Sequence, residues 1–118
     1  MREQMPRLNI TQQNDVSVIK LIDRKILDEV SISQIGDEIN SIVNQSPQPK
    51  IVLDFSNVAH MSSSALGMLI TLHKRIREKK GQLRLCNIQR GIYEVFVITR
   101  LSEIFQICQD SQQAISSL

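Results

Sequence analysis

Three consecutive serines, Ser62, Ser63 and Ser64, stand where an apolar strand pattern gives way to helical spacing, within the stretch Leu53-Asp54-Phe55-Ser56-Asn57-Val58-Ala59-His60-Met61-Ser62-Ser63-Ser64-Ala65-Leu66-Gly67. A helix N-terminus leaves its first backbone N–H groups without intrahelical acceptors and carries about half a positive charge from the macrodipole. A serine oxygen there caps the helix by accepting one of those bonds, which contributes about 1 kcal/mol. It can equally carry a phosphoryl group, whose charge of about −1.5 to −2 suits that end of a helix. One cap does not need three serines. One hydroxyl is therefore expected to cap and another to face solvent at the carboxyl end of the sheet, where open α/β sheets place their ligands.

The same placement suits a hydrolase nucleophile, but the glycines of Gly-x-Ser-x-Gly are missing. His60 lies just before the serines, and His73 lies almost three helical turns beyond Ser63 on an apolar stripe, where a half-buried structural histidine is the ordinary outcome. No base or oxyanion hole is assembled, so catalysis is not expected. Asp54 closes an apolar run and can serve the Ser56-Asn57 turn, and Asp28 precedes a helical pattern and can cap it. Either carboxylate, if close to Ser63, would repel a phosphate there. Cys86 and Cys108 lie in apolar segments without the paired spacing of a metal site, so both are expected to be buried and reduced. No metal and no cofactor follow from these residues.

Composition narrows the field. A formal net charge of +2 is too small to imply nucleic acid, and one Tyr, three Phe and no Trp offer few platforms for stacking bases. With 42% hydrophobic and 22% charged residues the chain fits one soluble domain over residues 1–118, and no apolar run approaches the roughly 20 residues of a membrane span. Met1-Arg2-Glu3-Gln4-Met5-Pro6 lacks the apolar core of a signal peptide, so a cytoplasmic location is expected. The cluster from Lys74 to Lys80 reads as the solvated end of a helix, where cations complement the dipole.

The elements that must position the serines follow from periodicity. Leu8 to Thr11 and Asp15 to Ile22 predict two strands joined at Asn14-Asp15. Asp28 to Asn44 shifts to helical spacing with Ile32, Ile35, Ile39, Ile42 and Val43 on one face, and Pro47 and Pro49 end it. Ile51-Val52-Leu53 suits a strand buried on both faces. A second helix from Ser62 or Ser63 to about Lys80 carries Ala65, Leu66, Leu69, Leu72, His73 and Ile76, with Gly81 at its left-handed cap. Gly67 on its first turns costs about 1 kcal/mol of helix propensity, which suggests a close packing contact or a backbone approach. Leu83 to Cys86 is the next strand, implying a parallel crossover. Residues 91–99 have strand-like composition but helical spacing, Ile104 to Cys108 predicts a last strand, and Asp110 or Ser111 can cap a terminal helix with Ala114, Ile115 and Leu118.

The chain resembles the anti-sigma-factor antagonist (STAS) family. Leu53-Asp54-Phe55-Ser56, Met61, Ser63-Ser64 and Leu66-Gly67 fit the family's strand, Met and Asp-Ser-Ser/Thr-Gly-Leu-Gly helix start, with Ser63 on its phosphoacceptor. Ser62 replaces the usual Asp before it, and Ala65 the usual Gly after the serine pair. Leu27-Asp28 is similar to the family's Leu-Asp before the first helix, and Leu101 to Ala114 to its closing segment, so the resemblance spans nearly the whole chain. It implies an α/β fold, a mixed sheet of four or five strands with about four helices mainly on one face, and a short helix over 91–99. It further implies an antagonist that binds an anti-sigma factor with serine kinase activity and is released when Ser63 is phosphorylated, a phosphatase reversing the mark. Ser62 and Ser64 are the alternative acceptors, with Ser64 expected to cap or be partly buried. Met61, Ser64, Gly67 and Asp28 are the expected partner-binding residues, on a monomer or a dimer. The alternative within the family is a non-switching scaffold or a small-ligand or nucleotide-sensing module.

Overall fold

The computed structural model describes residues 8–118. Met1 to Pro6, which bear on the signal-peptide expectation, lie outside them. Alternation along the central strands sets the layers. In β2 (Val16–Leu21) Ile19 and Leu21 join one cluster while Val16 and Val18 join another on the opposite face. β4 (Lys50–Asp54) separates Ile51 and Leu53 from Val52 in the same way, and β6 (Gln82–Cys86) separates Leu83 and Leu85 from Cys86. Apolar side chains on both faces demand cover on both faces. With β1 (Leu8–Gln13) and β7 (Gln106–Cys108) these strands form a five-stranded sheet in the order β1-β2-β4-β6-β7. The β1–β2 pair is antiparallel and the other pairings are parallel. The hairpin turns at Asn14-Asp15, and Asn14 takes φ 59°, a left-handed conformation that asparagine tolerates well.

Three helices, α1 (Glu29–Asn44), α2 (Ser63–Glu78) and α3 (Arg90–Ile98), cover the larger cluster, and α4 (Ser111–Ser116) covers the other face. This is the mixed α/β arrangement expected, with helices mainly on one side. Residues 91–99 are helical because Ile92 and Phe96, one turn apart, both reach the core; burial overrides their strand propensity. α1 and α2 lie side by side in the same direction. At their C-terminal ends Lys79 Nζ donates to the Val43 carbonyl at 3.0 Å, so a cation of the basic cluster satisfies an orphan acceptor of the neighbouring helix. Midway, a Cβ on Gly36 would sit 3.2 Å from Met68 Cγ, so the missing side chain lets the helices close up. α4 is pinned by Arg84, whose Nε donates to Ser117 Oγ at 2.8 Å and Nη2 to the Ser117 carbonyl at 3.2 Å.

Several expectations need correction. The last strand begins at Gln106, because Leu101–Glu103 forms a 3-10 turn and Phe105 turns into the core, its ring against Phe96 and edge-on to His73. Cys86 is buried, its thiol pushed up to about 12 by desolvation and then by the Asp54 charge, but its register partner Cys108 is half-exposed on the edge strand; both are free. The left-handed residue closing α2 is Lys80 (φ 58°), not Gly81. Gly81 N–H returns to the Ile76 carbonyl and Lys80 N–H to that of Arg77, the paired bonds of a Schellman motif. Gly81 is needed for a different reason, since a Cβ there would lie 2.3 Å from the Pro49 carbonyl oxygen. Gly67 is not held by close packing, for a Cβ on it would meet open space.

These two glycines predict opposite outcomes. Gly67→Ala should raise stability by about 1 kcal/mol through helix propensity. Gly81→Ala should lower it by on the order of 2 kcal/mol or more, because the contact is with backbone. Urea unfolding of the two variants checks both signs.

Candidate functional site

Two very short strands fix the site. β3 (Lys25–Ile26) and β5 (His60–Met61) pair in parallel, Lys25 opposite His60 and Ile26 opposite Met61. Beyond them Ser62 N–H donates to the Ile26 carbonyl at 3.0 Å. Each strand runs straight into a helix, so the N-termini of α1 and α2 open side by side with Leu27, Asp28 and Glu29 along Ser62, Ser63 and Ser64. Asp28 Oδ2 accepts from Ser31 N–H at 2.9 Å and caps α1. Ser62 Oγ accepts from Ala65 N–H at 3.2 Å and caps α2.

The three hydroxyls therefore have three environments. Ser62 is half-buried and committed to its cap. Ser64, exposed on the first turn, donates to Glu29 Oε2 at 3.0 Å across the helix pair. Ser63 is exposed, and its hydroxyl makes no hydrogen bond with any described residue. The expectation that Ser64 caps or is partly buried is corrected: the first helical residue is Ser63, so the capping position falls on Ser62, two places before Ser64, which is exposed.

Apolar surface flanks this edge. Leu27 is 49% and Val30 65% exposed, large values for side chains that nothing in the fold requires to face water. Beside Met61 lies a cleft of about 480 Å³ lined by Lys25, Leu27, His60, Met61, Ile92 and Val95 among others. Gly67, exposed one turn beyond Ser63, continues the face along α2. Asp28, Met61, Ser64 and Gly67 are thus brought to one side of the molecule around Ser63. Leu27, Glu29 and Val30 belong to the same surface; the sequence marked Leu27 only through the Leu27-Asp28 resemblance and Glu29 and Val30 not at all, although an apolar residue on either side of the Asp28-Glu29 pair was the available signal.

The remaining candidates lie elsewhere or act structurally. Asp54 Oδ1 accepts from Ser56 N–H at 2.9 Å and from Asn87 Nδ2 at 3.2 Å, serving the turn as expected. His73 packs edge-on against Phe105, ring centroids 5.2 Å apart, and its pKa is held down by desolvation and then by the Arg77 charge. His60 is exposed on β5. Among the described residues no group of His, Cys, Asp and Glu is arranged to hold a metal ion, and no helix is long and apolar enough to cross a membrane.

Comparison with known proteins bears on the family and the fold. The STAS domain family matches residues 7–114. The anti-sigma F factor antagonist of Paenibacillus polymyxa is 23% identical over 92 residues, covering 78% of this chain and 79% of its own. An anti-sigma-factor antagonist (STAS) domain protein from Planctomyces limnophilus superposes with a TM-score of 0.85 at 23% identity, covering 93% of this chain and 96% of that one. The Bacillus cell fate determinant SpoIIAA in its phosphorylated form superposes at 0.70 with 19% identity, covering 93% and 97%.

The capping assignment has a direct test. Ser62→Ala should cost about 1 kcal/mol and Ser62→Asp should retain the cap. Ser63→Ala should stay within about 0.5 kcal/mol of the parent. Thermal or urea unfolding of the three variants measures the order.

Proposed function

Because the chain belongs to the STAS domain family, we propose that it is an anti-sigma-factor antagonist in a partner-switching pathway. Unphosphorylated, it binds an anti-sigma factor through the face built by the starts of α1 and α2, and so frees a sigma factor for transcription. Phosphorylation of Ser63 by that partner's serine kinase activity releases it, and a phosphatase restores it. The protein is the substrate of the kinase and supplies the docking surface.

The observation that carries this reading is the state of the Ser63 hydroxyl: exposed, on the first turn of α2, and the one member of the triplet without a hydrogen bond to another described residue. A phosphate there is compatible with the fold, since the α2 dipole and its orphan N–H groups favour negative charge. Its effect falls on the complex. Taking an ion of about −1.5 to −2 out of water costs several kcal/mol unless the partner provides matched donors, so the charge expels the partner without unfolding the antagonist. The exposed Leu27 and Val30 supply the apolar contact area that such an interface needs. Gly67 fits the same picture: its helix penalty has no intramolecular cause, and a bare backbone there leaves room for a partner surface. The phosphorylated form described for SpoIIAA, which shares this fold, supports the assignment of the switch.

Ser63→Ala should bind the anti-sigma partner with the parent's affinity and resist phosphorylation, whereas Ser63→Asp should bind at least about tenfold more weakly, equivalent to about 1.4 kcal/mol. Calorimetric titration of the partner with each form measures this. Equal affinities for all three forms would set aside Ser63 as the switch and leave a non-switching scaffold as the function.

A further inference from the structure

Three hydroxyls in a row give a kinase a problem of choice, and the side-by-side helix starts contain a device that resolves it. We propose that Glu29 is the residue that selects the phosphoacceptor, holding Ser64 out of reaction and leaving Ser63 as the acceptor; this rests on the switch reading above. Glu29 is the first residue of α1 and reaches across to Ser64 on α2, thirty-five residues away in sequence, where Oε2 accepts the Ser64 hydroxyl proton at 3.0 Å.

Phosphoryl transfer forms a bond from a serine Oγ to the γ-phosphorus of the kinase's nucleoside triphosphate and breaks that phosphorus's bond to the β,γ-bridging oxygen. A nucleoside diphosphate leaves, and the hydroxyl proton passes to a base on the kinase. At Ser64 the hydroxyl is already turned to the Glu29 carboxylate, and it must leave that bond before it can point at the kinase's base. The product would also replace a donor with phosphate oxygens next to the same carboxylate, setting acceptor against acceptor and anion against anion. Ser62 is withheld by a different means, its oxygen being used by the Ala65 N–H and its side chain half-buried. Ser63 escapes both. Successive residues of a helix are rotated by about 100°, so its side chain leaves α2 in a direction different from the one that brings Ser64 to Glu29. The device is local and electrostatic, and it lies on the face to which a partner with kinase activity must dock.

Two measurements test it. In the first, the parent, Glu29→Gln and Glu29→Ala forms are expressed in the native cells, and the phosphate is located by fragmentation mass spectrometry. The expected result is phosphate almost wholly on Ser63 in the parent and a rise of about fivefold or more in the Ser64 to Ser63 ratio in Glu29→Ala, with Glu29→Gln intermediate because it keeps an acceptor but loses the charge. Phosphate on Ser63 with an unchanged ratio in both variants would overturn the selector and leave the switch standing. Absence of phosphate from the parent would overturn the switch and the selector together. The second needs no kinase. Ser64→Asp should lower the melting temperature more in the parent than in the Glu29→Gln background, by on the order of 3 °C, while Ser63→Asp should shift both alike. An equal shift for Ser64→Asp in the two backgrounds would show that Glu29 does not feel a charge at Ser64, and the proposal would fall.

Discussion

The site depends on a backbone pairing of two residues with two. Lys25-Ile26 against His60-Met61, extended by the Ser62 N–H to Ile26 carbonyl bond, holds the start of α1 against the start of α2. A loop leaving a strand would otherwise be free to place its helix at many angles. Here each helix inherits its entry point from a strand already in register, so the side chains on the two first turns face each other at hydrogen-bonding distance. The helices then stay aligned for their whole length, through the notch at Gly36 and the Lys79 bond to Val43 at the far end. Two positive helix ends are thereby set next to one another, and the carboxylates of Asp28 and Glu29 sit between them and solvent.

The sequence carried the large elements because burial writes a period into them. α1, α2 and the three central strands were legible from isoleucine, leucine and valine spacing, whereas composition and spacing conflicted over 91–99 and only the family resemblance implied α3, which Ile92 and Phe96 bury one turn apart. What was not legible is short or long-range. A strand of two residues has no alternation to read, so β3 and β5 left no trace. Which serine caps α2 depends on the first helical residue, a boundary that periodicity locates only to within a residue or two. The contact between Glu29 and Ser64 joins positions on different helices and is set by their packing. Gly81 was read as a left-handed cap from its type, yet Lys80 takes that conformation because the Schellman bonds stabilise it and Gly81 has a backbone neighbour to avoid. Gly67 was read as a packing residue, and its openness moves its explanation from the fold to the surface.

Where the family resemblance leads one to expect Asp, this chain has Ser62, and the serine caps α2. A serine oxygen accepts the Ala65 N–H as a carboxylate would. The difference lies in charge. With a neutral cap on α2, the carboxylates beside the serine cluster come from the start of α1, on Asp28 and Glu29.

The two faces of the sheet are unequally guarded. On one side three helices share a broad apolar cluster. On the other, a helix of six residues rests on Val16, Val18, Val52 and Cys86 through Ala114, with Arg84 gripping Ser117. Regions with few buried contacts open in local fluctuations well below the free energy of global unfolding. When this lid lifts, Cys86 loses its cover while the serine face, on the opposite layer, keeps its architecture. The buried thiol is thus a natural clock for a motion separate from the serine face, and the rate at which it meets an alkylating reagent measures how often the small face of the sheet breathes.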